Sequence, residues 1–125
     1  MPPNPKRKRV LVIDDNEDVR MTMRLGLEAA GFDVALAADG RRGLAMLRQA
    51  GADVVVTDIL MPEQDGIETL EQLREEFPQV HVIAISGAVS STGFDYLAVP
   101  RELGAAHVLR KPFDIQELID ILQQL

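Results

Sequence analysis

Short unbroken apolar runs alternate along this chain with stretches of helical period, and few architectures accept that alternation. Val10-Leu11-Val12-Ile13, Val54-Val55-Val56 and Val82-Ile83-Ala84-Ile85 carry no polar residue on either side of the pleat. Strands of that kind are buried on both faces, as in a parallel sheet held between helices. Phe32 to Ala37 reads as a weaker second strand, and Val108-Leu109 as a short fifth. The strong runs stop abruptly, at Asp14-Asp15, at Asp58 and at Ser86-Gly87, and the short fifth leads into Lys111-Pro112.

The intervening segments carry helix signals. Asn16 is a good N-cap, with Glu17 and Asp18 favourably placed in the first turn. Val19, Met23, Gly26, Leu27 and Ala30 mark one face, and Gly31 ends the helix. Asp39-Gly40 opens a second helix with Leu44, Leu47 and Ala50 facing inward, closed by Gly51. Ile67, Leu70, Leu73 and Phe77 stripe a third, stopped by Pro78. After a loop over 87–93, a helix is expected over about Asp95 to Leu103, where Pro100 either kinks it or marks its start. Asp114 with Glu117 resembles a capping box ahead of the stripe Ile115, Leu118, Ile119 and Leu122.

Strands alternating with helices imply βαβ units joined by right-handed crossovers. The expected fold is α/β: a flavodoxin-like (βα)5 three-layer sandwich with a parallel five-stranded sheet in the order 2-1-3-4-5. The first and third strands then lie side by side at the switch point, so Asp14, Asp15 and Asp58 emerge together. Residues 1–7 read as a disordered lead-in and 8–125 as one domain.

Composition narrows the function classes. The chain has no cysteine, which removes disulfides, zinc–thiolate sites and a thiol nucleophile. No apolar run approaches the roughly 20 residues that span a bilayer, and no secretory signal is visible, so a cytoplasmic protein without membrane contact is expected. A net charge of −7 argues against direct nucleic-acid binding. Lys6-Arg7-Lys8-Arg9 runs the other way; it reads as a solvated arm leading into the first strand.

Three carboxylates at neighbouring strand ends repel one another, and a hard divalent cation such as Mg²⁺ removes the conflict. The cation also neutralises an incoming phosphoryl group, leaving Asp58 free to attack phosphorus, an established mode of covalent catalysis. Lys111 offers a second positive charge and Ser86 a hydroxyl for a phosphoryl oxygen. Taken singly, each residue has an ordinary reading: a helix N-terminus for Asp14 and Asp15, a loop cap for Asp58, a turn for Ser86. Taken together they specify phosphoryl chemistry.

On these motifs the chain resembles the receiver domains of two-component response regulators, the chemotaxis regulators among them. The signatures are Val10 to Asn16, Asp58-Ile59-Leu60-Met61-Pro62-Glu63-Gln64-Asp65-Gly66, Ala84-Ile85-Ser86-Gly87, and Gly104-Ala105 followed by Lys111-Pro112-Phe113. The resemblance implies Asp58 as phosphoacceptor, and Asp15 and Asp58 as side-chain ligands of Mg²⁺ (or Mn²⁺). It implies that Asp14 binds through water, that the backbone carbonyl of Leu60 completes the protein ligands, that Ser86 is the switch hydroxyl and that Lys111 senses the phosphate. Expected partners are a sensor histidine kinase or histidine phosphotransfer protein, and a downstream protein target or an output domain absent from this chain. The domain is expected not to be an enzyme beyond its own phosphotransfer and autodephosphorylation.

The chain departs from the family pattern at the switch aromatic, which is Val108 here, with His107 beside it as a candidate substitute. Leu60 places an apolar side chain near the attacking water's path and is expected to affect the lifetime of the phosphoryl group. His81 has no metal-ligand partner at a useful spacing and reads as structural. The second reading is a receiver-shaped interaction module that no longer takes phosphate. A Mg²⁺-dependent hydrolase would need a second acid two residues after Asp58, where Leu60 stands. A dinucleotide-binding domain would need G-x-G-x-x-G after the first strand, and none is present.

Overall fold

The computed structural model describes residues 7–58, 66–86, 107–110 and 113–125, with 66, 67 and 86 described by their main chain only. Five strands and four helices lie within those residues. They run β1 (Arg9–Ile13), α1 (Glu17–Ala29), β2 (Asp33–Ala37), α2 (Gly40–Ala50), β3 (Val54–Asp58), α3 (Gly66–Glu76), β4 (His81–Ser86), β5 (His107–Arg110) and α4 (Ile115–Gln124). The sheet order is β2-β1-β3-β4-β5 and every neighbouring pair is parallel, as the sequence pattern predicts. The expected helix over Asp95 to Leu103, the loop after Ser86, and residues 1–6 of the lead-in fall outside the described residues.

Alternation along the strands divides the core into two layers. Val10, Val12, Val54, Val56, Ile83 and Ile85 pack with Met23 and Leu27 of α1 and Leu118, Ile119 and Leu122 of α4. Leu11, Ile13, Val55 and Val82 face the other way, against Leu44 and Leu47 of α2 and Leu70 and Leu73 of α3. Each side chain fully removed from water on these faces contributes about 1.5–3 kcal/mol before conformational entropy is subtracted.

The helix ends follow the local chemistry. Asn16 Oδ1 accepts from Val19 N–H at 3.1 Å, Asp39 Oδ1 from Arg42 N–H at 2.8 Å, and Asp114 Oδ1 from Gln116 N–H at 2.9 Å. At the end of α1, Phe32 N–H reaches Leu27 O and Gly31 N–H reaches Glu28 O. That Schellman closure requires the positive φ of 97° that Gly31 supplies.

Three sequence expectations change. Ala50 and Ala30 are exposed rather than inward-facing. In α2 the buried stripe includes instead Gly40 and Gly43, and the missing side chain of Gly43 lets the helix settle against Ile13. The basic run is not a solvated arm. Arg7 pairs with Asp33 at 3.7 Å, and Arg9 donates from its guanidinium to Ala50 O and from its main chain to Asp53 Oδ2, both at 2.8 Å. Lys8 Nζ donates to Leu122 O at 3.0 Å and also to Leu125 O. These cations satisfy carbonyls and carboxylates at the strand starts, which a local reading of charge misses; Lys6 lies outside the described residues.

Candidate functional site

β1 and β3 run in register, with Ile13 opposite Thr57, so the next residue on each strand is an aspartate. Asp14 is 1% and Asp58 6% exposed, while Asp15 is open to solvent. One carboxylate oxygen from each of Asp14, Asp15 and Asp58 lies within 4.8 Å of the others. Among the described residues this is the one cluster of acids and histidines that closes so tightly. Two buried carboxyls and one exposed carboxyl thus meet at the carboxyl edge of the sheet, where open α/β sheets hold ligands.

The β1–α1 turn that carries two of the three acids is held from several sides. Asp14 N–H donates to Ala37 O of β2 at 3.1 Å, tying the turn to the sheet. Asp14 Oδ1 accepts from Asn16 N–H at 2.9 Å. Arg20 reaches back along α1 and donates from Nη1 to Asp14 O at 2.6 Å. Under Asp58, the buried Thr57 hydroxyl donates to the Asp58 carbonyl at 3.2 Å.

The chemistry of this donor set is hard, anionic and oxygen-only, which suits Mg²⁺, Mn²⁺ or Ca²⁺ and disfavours soft metals. Carboxylate oxygens this close fit a bridging cation, so the residues present match the group the sequence implies.

The structure therefore brings together Asp14, Asp15 and Asp58 as the sequence suggests. Ser86 is the last residue of β4, beside Arg110 of β5; the described part of it is its main chain. Leu60 and Lys111 lie outside the described residues. His107 starts β5 opposite Ile83 and is half-buried, as is Val108. His81 starts β4 and is exposed. Arg20 was not among the sequence candidates. Its signal is nonetheless present: helical side chains lean toward the N-terminus, so a basic residue four positions after the N-cap is in reach of the preceding turn.

Comparison with known proteins agrees with this geometry. The model of the response regulator receiver domain family matches residues 10–123. The response regulator MprA of Mycolicibacterium vanbaalenii is 33% identical over 117 residues, covering 94% of this chain and 49% of that protein. The transcriptional regulatory protein PrrA of Mycobacterium tuberculosis is 38% identical over 111 residues, covering 89% of this chain and 46% of the relative. The chain thus spans about half the length of these relatives. Among solved structures, the chemotaxis response regulator CheY4 of Vibrio cholerae superposes with a TM-score of 0.84 at 29% identity, covering 95% of this chain and 98% of that one. A receiver domain protein from Methanospirillum hungatei gives 0.86 at 25% identity, covering 95% and 93%.

Proposed function

The chain belongs to the response regulator receiver family, and from that premise we propose that it is a phosphorylation-driven switch whose acceptor is Asp58. The observation that carries the reading is the convergence of Asp14, Asp15 and Asp58 within 4.8 Å at the strand ends. The donor is a histidine kinase or histidine phosphotransfer protein. An Asp58 oxygen attacks phosphorus, the phosphorus–nitrogen bond of the donor breaks, and the imidazole leaves with the bond's electrons, forming an acyl phosphate. Asp15 and Asp58 would hold Mg²⁺ (or Mn²⁺) with their side chains, Asp14 through water and Leu60 through its main-chain oxygen. The cation, when bound, supplies charge neutralisation at the phosphoryl oxygens.

Lys111 and Ser86 bind the transferred phosphoryl group, and Ser86 carries the event into the protein by moving toward it. The output is a changed surface around β5 and α4, read by a downstream protein or by an output domain in the same polypeptide. We take residues 8–125 as the receiver unit, with 1–7 ahead of it, acting in the cytoplasm. Among the described residues no helix is long and apolar enough to cross a membrane.

A partner presenting a phosphohistidine to Asp58 meets α1 early in its approach. An apolar groove lined by Val19, Met23, Phe113 and Ile115 opens beside Asn16. Met21 and Leu25 stand 45% and 68% exposed on α1, so the helix offers further apolar contact area.

The deciding experiment is incubation with acetyl phosphate and Mg²⁺ followed by intact mass measurement. The parent gains one phosphoryl mass and Asp58→Ala does not. A parent that stays unmodified and fails to bind beryllofluoride with Mg²⁺ is instead a receiver-shaped interaction module, a reading to which Val108 at the switch position lends some weight.

A further inference from the structure

Asp15 is the exposed member of the cluster, yet its position is fixed from both sides. The peptide joining Asp14 to Asp15 is planar, so whatever holds the Asp14 carbonyl also orients the Asp15 main chain. Arg20 Nη1 holds that carbonyl at 2.6 Å. The next peptide, joining Asp15 to Asn16, is held through its N–H by Asp14 Oδ1 at 2.9 Å. The two arginines of α1's middle turns divide their work: Arg24 pairs on the surface with Glu28 at 2.8 Å, whereas the half-buried Arg20 donates inward.

We propose that Arg20 is a positioning residue of the cation site, holding the Asp14–Asp15 peptide so that the Asp15 carboxylate stands ready beside Asp14 and Asp58. The inference rests on the metal reading above and adds to it a residue that touches neither cation nor phosphoryl group. Two effects of Arg20 oppose each other. Its positive charge near the acids repels a cation and so weakens binding. Its hydrogen bond fixes a loop that the cation would otherwise have to order at an entropic cost. Screening by solvent reduces the charge effect at this half-exposed position, so positioning dominates.

The two effects give opposite signs on removal, which makes the test sharp. Arg20→Met keeps a long apolar stem for packing and loses both charge and donor; Arg20→Lys keeps the charge and one donor. Binding of Mn²⁺ is followed by the free-ion electron paramagnetic resonance signal in a titration of each folded protein. The expected result is a three- to tenfold weaker Kd for Arg20→Met and substantial recovery in Arg20→Lys. A purely structural role would lower the unfolding midpoint of Arg20→Met while leaving its Kd at the parent value, and that pattern overturns the proposal. Tighter binding in Arg20→Met overturns it as well, because charge alone would then account for the residue. A parent that takes up no Mn²⁺ removes the metal reading itself and the role of Arg20 with it, an outcome distinct from parent and variant binding alike.

Discussion

Asp14 and Asp58 end adjacent parallel strands one residue beyond the Ile13–Thr57 pair, both almost wholly buried, with carboxylate oxygens within 4.8 Å. A cation shared by carboxylates so placed would be held only in the folded state, because the unfolded chain scatters them. Mg²⁺ at a hundredfold excess over its Kd should therefore raise the unfolding free energy by about 2.7 kcal/mol. Asp15→Asn should lose most of that gain while folding normally without metal, since residue 15 is exposed. Urea titrations with Mg²⁺ and with a chelator measure both; an equal gain in the variant would rule out Asp15 as a ligand.

Glycine supports the same strand end from beneath. A Cβ on Gly43 would sit 2.5 Å from Ile13 Cδ1 and 2.9 Å from Cγ1, and Ile13 is a fully buried, β-branched residue with little room to turn. Overpacking of about 1–3 kcal/mol outweighs the helix-propensity gain of about 1 kcal/mol. Gly43→Ala should thus destabilise by about 1 kcal/mol. On α1 the nearest atom to a Gly26 Cβ is Cγ1 of the half-buried Ile115, at 2.9 Å, and that side chain can shift. Gly26→Ala should change stability by less than about 0.5 kcal/mol, since propensity and crowding offset each other. Equal losses in the two variants would contradict this account.

Thr69 lies wholly buried in α3, and among the described residues its hydroxyl has no partner. A desolvated hydroxyl without a hydrogen bond costs about 1–3 kcal/mol, and valine has nearly the same shape. Thr69→Val should stabilise the protein by about 1 kcal/mol in urea unfolding at any pH where the protein is folded. A loss of stability would mean that the hydroxyl has a partner in solution.

The Arg48 guanidinium grips Glu76 through two bonds, Nη2 to Oε1 at 2.7 Å and Nε to Oε2 at 3.0 Å, bridging α2 and α3. The hydrogen bond from Arg48 and its charge hold the Glu76 carboxyl below the usual range, against a smaller opposing effect of desolvation. A carboxyl depressed on folding stabilises the protein above its unfolded pKa, near 4.3, and loses that contribution as pH falls through the lower folded value. Glu76→Gln should therefore be slightly less stable than the parent at pH 7, and the gap should close as the medium is acidified below pH 4. Because both side chains are exposed, added salt should shrink the gap at neutral pH. A gap that widens on acidification would reverse the assignment.

What the sequence made legible follows from where the signal is local. Val54-Val55-Val56 announces a strand buried on both faces, and the acid that follows it needs only the parallel order to meet Asp14. Asn16, Asp39, Asp114 and Gly31 act within a few residues of themselves and read correctly. Lys8, Arg7 and Arg9 did not, because their partners, Leu122, Asp33 and Ala50, are remote in sequence and nothing near a basic residue says which carbonyl it will meet. Ala50 failed for a different reason: the buried stripe of α2 runs through Gly43, which admits Ile13, and absence of a side chain scores as neutral in any hydrophobic pattern. Thr69 carries no apolar signal of its own, yet it lies beside Leu70 wholly buried.

The bond from Lys8 to Leu122 joins positions 114 apart. Closing so long a loop carries an entropic cost that the burial of the strands and helices between must offset. The final turn of α4 thereby gains, beside the burial of Ile119 and Leu122, a side-chain tie from the other end of the sequence. Lys8 is thus a clasp between the two ends of the sequence: its ammonium meets Leu122 only where the start of β1 and the end of α4 lie together.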